Sequence, residues 1–255
     1  MKKVLKFILG PKIVKLLRGL TPNLQEESEE VIKARQRFYG EFIKPKDLVF
    51  DVGANLGNRI RPLLNIGARV VAVEPQKECY TILKKKFGNT IEIVPMGLGE
   101  KEETKDFFIA DSHTISSFSE EWIEHVKKER FKNYTWAKPI KIKMTTLDLL
   151  IERYGLPKFI KIDVEGYELE VLKGLTYVVD MISFEYTVPE QTQKAKDCIS
   201  QIAKYNPEIE CNFSIGESMQ FELNGWRSVT DFTNYMSTEE FIASGFGDIY
   251  IRRIF

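Results

Sequence analysis

An aspartate at the end of a short apolar run, followed at once by glycines, is the first feature that could do chemistry. The run is LVFDVGANLG, in which Asp51 ends a predicted buried strand and Gly53 and Gly57 follow it. Gly53 allows a sharp turn, Gly57 permits close approach of a ligand, and the next helix would offer free N-terminal amides. A loop of this kind at the carboxyl end of a parallel strand is typical of a nucleotide site.

The glycine spacing and the acid indicate which nucleotide would bind. A dinucleotide fingerprint has the spacing GxGxxG, whereas these glycines are spaced GxxxG, and the GK[ST] of a P-loop does not follow. The anionic Asp51 would repel a phosphate and suits a cationic ligand. S-Adenosylmethionine, with its positive sulfonium and α-amino group, meets this requirement. The alternative for Asp51 is a turn or capping aspartate.

Glu74 ends the second predicted strand, 23 residues after Asp51. An acid at this place can accept hydrogen bonds from both ribose hydroxyls of an adenosine. NAD would use the same residue, so Glu74 alone does not separate the two cofactors. The alternative is a surface carboxylate before Pro75.

Two later predicted strands also end in acids. In FIKIDVEG, strand alternation places Lys161, Asp163 and Glu165 on one side, and in SFEY Glu185 would lie near Asp163 at the same sheet edge. Because a buried unpaired carboxylate is costly, we expect Asp163 to be satisfied by a ligand, an ion or an amide. The alternative is a first-turn helix acid for Glu165 and a structural or solvated acid for Glu185.

Short apolar strands separated by helical stretches would position these residues. This alternation predicts an α/β fold with a mostly parallel sheet and crossover helices. Strands are predicted at 48–52, 69–74, 91–95, 159–164 and 181–186, and helices at 59–66, 76–87, 145–154, 167–173 and 190–204. The C-terminal stretches SMQFELN and DIYIRRI are predicted to close the sheet as an antiparallel pair.

The third and fourth of these strands are separated by a long insertion, at about residues 101–143. It contains a strand-like TKDFFIA, a Ser/Thr-rich DSHTISSFS, a charged helix EEWIEHVKKERF and a strand IKIKM. Because long loop regions inside compact folds are usually functional, we expect it to fold over the substrate.

Residues 1–45 are predicted to form a helical extension before a domain at 46–255. The first twenty residues carry six Lys or Arg and no acid, with apolar residues at near-helical spacing. They could dock weakly on an anionic membrane surface, or form a helix that packs on the domain. Gly10 and Pro11 interrupt the helix and favour packing. A second helix after Pro22, capped by Asn23, would have an apolar side formed by Val31, Ile32, Arg35, Phe38 and Phe42.

Composition limits the remaining function classes. Lys plus Arg and Asp plus Glu number 37 each, so the net charge of zero argues against a globally basic nucleic-acid binder. Three cysteines without a CxxC pair and two histidines give no zinc spacing. No run approaches the roughly 18 to 20 apolar residues of a membrane span. These features predict a cytoplasmic protein with free thiols, and they predict no oligomeric state.

Six motifs in order resemble one family. The segments FDVGANLG, VVAVEP, PMGLG, TTLDLL, FIKIDVEGYELEVLKG and ISFEY are similar to those of FkbM-type methyltransferases, a class I group that depends on S-adenosylmethionine. The resemblance covers about residues 46–187. It implies a Rossmann-like, seven-stranded, mostly parallel sheet with an antiparallel strand near the C-terminus and helices on both faces.

The resemblance also implies site residues. Those implied for the cofactor are Asp51, Gly53, Ala54, Asn55 and Gly57 in the loop, Glu74 and Pro75 at the ribose, Met96 and Gly97 beside the adenine, and Asp163 beside the methionine end. Asn55 is expected either to cap the following helix or to reach the methionine carboxylate. Within HTISSFSEE, the implied substrate-binding residues are Ser116, Ser117 and Phe118.

Family membership implies transfer of a methyl group to a hydroxyl oxygen of a sugar, glycan or other small molecule. A general base must then accept the hydroxyl proton, and the candidates are Asp163, Glu165, Glu185 and, with a weaker case, His113. A divalent ion on Asp163 and Glu185 would lower the hydroxyl pKa, but two acids without a third ligand do not support a metal site. The alternatives are a methyltransferase acting on an RNA 2′-hydroxyl or on protein, and a domain that binds the cofactor without catalysis.

Overall fold

The structure is a computed structural model that describes residues 27–128 and 131–254. Strands and helices alternate along most of the chain. The first part contains α1 (Glu29–Gly40), β1 (Leu48–Val52), α2 (Ile60–Ile66), β2 (Arg69–Val73), α3 (Lys77–Phe87), β3 (Glu92–Val94), β4 (Gly97–Leu98), β5 (Thr104–Phe107), α4 (Glu120–Val126) and β6 (Ile140–Thr145). The second part contains α5 (Leu147–Tyr154), β7 (Phe159–Ile162), α6 (Glu168–Lys173), β8 (Met181–Thr187), α7 (Thr192–Tyr205), β9 (Ile209–Ile215), β10 (Arg227–Ser228), α8 (Val229–Tyr235), α9 (Glu239–Ala243) and β11 (Phe246–Arg253).

An eight-stranded sheet in the order β3-β2-β1-β7-β8-β11-β9-β10 forms the centre of the fold. Within this sheet the neighbouring strands β3, β2, β1, β7 and β8 pair in parallel. β11 runs antiparallel to both β8 and β9. The first seven strands of this order form the predicted Rossmann-like sheet with one antiparallel strand. The two-residue β10 adds a short edge. The predicted fold class is therefore confirmed.

Both faces of the sheet are covered, because alternate strand residues face two different cores. Phe50 and Val52 belong to a large core cluster, whereas Val49 and Ala72 belong to a second cluster on the other face. Every residue of β1 is buried, as a continuous apolar run requires of a central parallel strand.

The C-terminal pair of strands differs from the prediction. The residues of SMQFELN form bends and irregular backbone, and β11 pairs antiparallel with β9, at Ile209–Ile215, on the side away from β8. The backbone is left-handed at Gly216, before the predicted strand, and at Met219, within it, with φ of 52° and 54°, so the extended conformation is broken there. Cys211 and Phe213 of β9 point into the core instead.

Helix α1 covers one face of the sheet. Its N-cap is Ser28, whose side chain accepts a hydrogen bond from the amide of Val31, so the predicted cap at Asn23 is wrong for this helix. Phe38 is buried with its ring 5.4 Å from that of Tyr250, whereas Val31 is 41% exposed and lies off the predicted apolar side. Asn23 itself and the basic segment 1–20 lie outside the described residues.

The insertion forms a small second layer. β5 pairs antiparallel with β6, and β4 joins β6 in parallel, so these three strands make a separate sheet. α4 buries Trp122 and Ile123 in a local cluster, and the Trp122 ring lies directly over Gly166. The insertion is thereby held against the loop between β7 and α6. Within the described part of the chain, every helix is too short or too polar to span a bilayer.

Candidate cofactor and substrate site

A cavity of about 270 Å³ lies at the carboxyl ends of β1, β2, β7 and β8. The loop after β1, the segment after β2, the β7–α6 loop and the insertion all contribute to its wall. Ligands of doubly wound sheets bind at this edge, next to the point where the strand order reverses. In this chain the order reverses at β1, between β2 and β7.

Gly53 places the loop after β1 directly against the backbone that follows strand β7. Its φ is 82°, and a β-carbon at this position would lie 1.9 Å from the carbonyl oxygen of Asp163. The Gly53 amide donates to the carbonyl of Val73, 3.0 Å away. The loop therefore enters the cavity at a place where a side chain has no room. Gly53 lines the cavity together with Ala54 and Asn55.

Gly57, which the sequence predicted to bind the cofactor, packs against helix α3 in this structure. It lies outside the cavity lining drawn by the described residues, and a β-carbon there would come within 2.5 Å of the Phe87 ring. Its φ of 83° is again in the left-handed region. Gly57 therefore lets the loop pack on α3, whereas the sequence suggested close approach to a ligand.

Asp51 also lies behind the cavity wall. It is 2% exposed, and its Oδ2 has no hydrogen-bond partner among the described residues. Burial raises the pKa of Asp51 to about 6, against the opposing charges of Arg59 and Lys161. Asp51 can thus influence the loop through its charge, without forming part of the cavity surface.

Glu74 lines the cavity immediately after β2. Its two oxygens accept hydrogen bonds from the amides of Asn55 and Gln76, both at 2.8 Å. Burial raises the pKa of Glu74 to about 7, although these hydrogen bonds oppose the shift. Each carboxylate oxygen keeps a second lone pair for a ligand hydroxyl.

The Asn55 side chain does not cap the following helix α2, whose N-cap is Arg59. The Asn55 side-chain amide donates to the carbonyl of His113 at 3.3 Å, and the Gln76 side chain donates to the same oxygen at 3.0 Å. The Asn55 backbone is left-handed, with φ of 49°. Asn55 therefore bonds the insertion to the loop after β1, and Gln76 bonds it to the segment after β2. Gln76 is a site residue that no sequence motif indicated.

The other predicted site residues on the segment after β2, on β4 and its approach, and in the insertion divide into two groups. Cavity-lining positions include Pro75, Met96, Gly97, His113, Ser116 and Phe118. Ser117 lies behind the wall, fully buried, and its hydroxyl donates to the carbonyl of Glu165 at 2.8 Å. This hydrogen bond to the backbone makes Ser117, predicted to bind substrate, a support for the β7–α6 loop.

Three carboxylates meet on the cavity wall. Asp163, Glu165 and Glu185 each offer an oxygen within 4.8 Å of the others, so the structure adds Glu165 as the third acid of a potential ion site. Burial, followed by the charges of Asp163 and Glu165, raises the pKa of Glu185 well above its usual range. Lys161 lies beneath the cluster, 3.3 Å from Asp163 Oδ2 and 2.7 Å from Asp248 Oδ1.

Two arginines and a glutamate complete the cavity wall, and the sequence motifs did not indicate them. Arg35 comes from α1, Arg59 immediately precedes α2, and Glu217 lies in the turn after β9. Arg59 donates to both oxygens of Glu217, at 2.7 and 2.9 Å. A charged Arg35 on an otherwise apolar helix face was the one signal available in the sequence.

Solved structures with a similar arrangement include methyltransferases. A TehB-like S-adenosylmethionine-dependent methyltransferase from Corynebacterium glutamicum aligns with a TM-score of 0.47 and 10% identity, over 95% of this chain and 97% of that one. An O-methyltransferase from Bacillus cereus in complex with S-adenosylhomocysteine aligns with a TM-score of 0.43 and 12% identity, over 99% and 96%. The fold assignment rests on the strand order described above and not on these alignments.

Sequence comparison gives a more specific result. The hexuronic acid methyltransferase AglP of Haloferax volcanii is 28% identical to this chain over 141 residues, which is 54% of each protein. The match thus spans about half the length of that relative. The methyltransferase FkbM domain matches residues 51–228, from the cofactor loop to β10. This chain belongs to the methyltransferase FkbM family.

Proposed function

We propose that this chain transfers the methyl group of S-adenosylmethionine to a hydroxyl oxygen of a sugar. Residues 46–255 would form the methyltransferase domain, and α1 of the preceding extension contributes Arg35 to its cavity. The proposal rests on one observation: two features line the same cavity. The first is Gly53 with Glu74, and the second is the cluster of Asp163, Glu165 and Glu185. Family membership supports the same reaction class.

The cavity residues fit this cofactor. S-Adenosylmethionine, when bound, supplies a methyl group on a positively charged sulfonium. Glu74 would accept hydrogen bonds from the ribose hydroxyls, and Met96 and Phe118 offer apolar surface for the adenine. Gly53 leaves room for the methionine end, and the nearby Asp163 suits its ammonium group.

The three carboxylates would manage the acceptor's proton. Because methyl transfer is an in-line displacement, the protein must mainly position the acceptor oxygen and accept its proton. The raised pKa of Glu185 makes its carboxylate a stronger base than an ordinary glutamate. We propose Glu185 as the first candidate for the base, with Asp163 and Glu165 orienting the hydroxyl. His113 is a weaker candidate; burial lowers the pKa of its imidazole.

A divalent ion on the same three acids is the alternative way to activate the hydroxyl. Carboxylate oxygens suit Mg²⁺ or Mn²⁺. We favour the metal-free route because Lys161 already places a positive charge 3.3 Å from Asp163. Loss of activity on dialysis against EDTA, restored by Mg²⁺, would favour the metal.

A sugar acceptor is supported by the relative that acts on a hexuronic acid. An RNA acceptor fits less well, since Asp163, Glu165 and Glu185 would repel its phosphates. For residues 1–20 we propose packing on the domain, because Gly10 and Pro11 interrupt a membrane-binding helix. Sedimentation of the full chain with phosphatidylserine vesicles would contradict that part of the proposal.

The test is a labelled-methyl assay with S-adenosylmethionine and three acceptor pools: sugars and glycosides, total RNA, and protein. We expect the label to appear in the sugar pool. It should survive mild acid, because the transferred methyl group would be held in a methyl ether. Label in RNA or protein alone would replace the proposed acceptor. Absence of label from every pool, with intact cofactor binding, would indicate a domain that binds without catalysis.

A further inference from the structure

Arg35, Arg59 and Glu217 form an ion-pair cluster on the cavity wall, and we call it the arginine clamp. Its members come from three distant parts of the chain. Arg59 holds both oxygens of Glu217, and Arg35 Nη2 donates to Glu217 Oε2 at 3.2 Å. Arg35 Nη1 also contacts Glu27 and donates to the carbonyl of Asn58 at 3.1 Å.

The burial of the clamp is unequal. The side chains of Arg35 and Arg59 are 6% and 13% exposed, whereas that of Glu217 is 56% exposed. A buried cation is costly without an anion beside it, so the arginines need a carboxylate. Glu217 lies in the turn after β9, and the charges of Arg59 and Arg35 lower its pKa to about 2 despite partial burial, so an anion that displaces it must make equivalent contacts with the arginines.

The arginines retain unused hydrogen-bonding capacity. Nε of Arg35 and Nε of Arg59 are both buried, and neither has a hydrogen-bond partner among the described residues. Both side chains line the same cavity as Asp163 and Glu185. The cavity therefore has an acidic wall and a basic wall, which suits a ligand carrying an anionic group at one end.

We propose that Arg35 and Arg59 form a binding site for a ligand carboxylate, and that Glu217 occupies this site until the ligand displaces it. The forked contact of Arg59 with Glu217 has the geometry with which arginine binds a free carboxylate. Two ligands of the proposed reaction carry this group: the methionine part of the cofactor and a uronic acid acceptor. For both of these carboxylate sources the inference rests on the proposed function.

The experiment uses the full chain, the variants Arg59→Gln and Glu217→Gln, and Arg61→Gln as the control. Arg61 lies on α2, two residues after Arg59. It pairs with Glu29, and its side chain is 45% exposed and lies outside the cavity lining. Calorimetry compares S-adenosylhomocysteine with methylthioadenosine, which lacks the amino-acid carboxylate. Kinetics compare methyl glucuronide with methyl glucoside as acceptors.

If the carboxylate is the cofactor's, Arg59→Gln weakens S-adenosylhomocysteine roughly tenfold or more and leaves methylthioadenosine unchanged. If it is the acceptor's, the same variant raises KM for the glucuronide alone. Glu217→Gln has the opposite effect, because it removes the competing carboxylate. It strengthens S-adenosylhomocysteine binding in the first case and lowers KM for the glucuronide in the second. A purely structural clamp would not produce this reversal.

The inference is overturned if Arg59→Gln, folded by circular dichroism, behaves like Arg61→Gln in both arms. It is also overturned if Glu217→Gln weakens the carboxylate ligand as Arg59→Gln does. Failure of the proposed function looks different: the unmodified chain would then bind neither S-adenosylhomocysteine nor methylthioadenosine.

Discussion

Gly53 and Asp163 approach so closely that a β-carbon on Gly53 would lie 1.9 Å from the Asp163 carbonyl oxygen. Two adjacent parallel strands thus bring the cofactor loop and the acidic cluster into contact through backbone atoms. The spacing between the loop after β1 and Asp163 of the acidic cluster depends on this contact. A change at Gly53 should disturb both.

Gly53→Ala should therefore reduce both stability and cofactor binding. The added methyl group meets a backbone oxygen, and the φ of 82° is strained for alanine. We expect a loss of about 2 to 4 kcal/mol in the free energy of unfolding, measured in urea. Gly40→Ala is the control, because its β-carbon meets nothing within 4 Å. Equal stability of the two variants would refute the packing argument.

Cofactor affinity should fall as pH is lowered through about 7. The pKa of Glu74 is about 7, and only its ionised form has both oxygens free to accept from ribose hydroxyls. S-Adenosylhomocysteine should bind about tenfold more weakly at pH 6 than at pH 8, by calorimetry. Glu74→Gln should bind weakly with little pH dependence. A pH-independent affinity in the unmodified chain would contradict the role of Glu74.

Glu185→Gln should stabilise the protein while reducing its activity. The folded-state pKa of Glu185 is raised above 4.5, so the folded chain keeps a proton that the unfolded chain loses, and its stability falls as pH rises past that value. Glutamine removes this penalty, so we expect a gain on the order of 1 kcal/mol at pH 8 and none at pH 4.

The same variant should lower kcat by about a hundredfold or more, as expected for loss of a base. Glu152→Gln, at an exposed position of α5, is the matched control for both measurements. A variant that gains stability and keeps full activity would leave Asp163 or Glu165 as the base.

Asn55→Ala should loosen the insertion. It removes the hydrogen bond from Asn55 to the His113 carbonyl and leaves that from Gln76. Loss of one such bond corresponds to about 1 kcal/mol, or roughly fivefold faster hydrogen exchange at residues 110–117 if they open locally. Asn89→Ala, in the exposed turn after α3, should change nothing. Unchanged exchange in Asn55→Ala would show that Gln76 alone holds the insertion.

Much of the fold could be predicted from hydrophobic pattern. β1 begins and ends at the predicted residues, because a fully buried apolar run bounded by a turn has little freedom. The position of Glu74 on the cavity wall could be predicted for the same reason, since it directly follows such a run. SMQFELN failed because its apolar residues alternate as in a strand, while the left-handed Gly216 and Met219 before and within it break the extended backbone.

The contacts at the site that the sequence did not predict have a common physical origin. Gly57 and Ser117 belong to the expected motifs, but their neighbours, the Phe87 ring and the Glu165 carbonyl, depend on tertiary packing. Arg35 and Glu217 are 182 residues apart and meet only because α1 and the turn after β9 reach the same wall. Local patterns carry no information about such a meeting.

The most direct test of the central claim is calorimetric titration of S-adenosylhomocysteine into the full chain and into Glu74→Ala at pH 8. Binding of one molecule per chain, weakened at least tenfold in the variant, is the predicted result. Absence of binding to the unmodified chain, or equal affinity in the two proteins, would contradict the assignment of this cavity as the cofactor site.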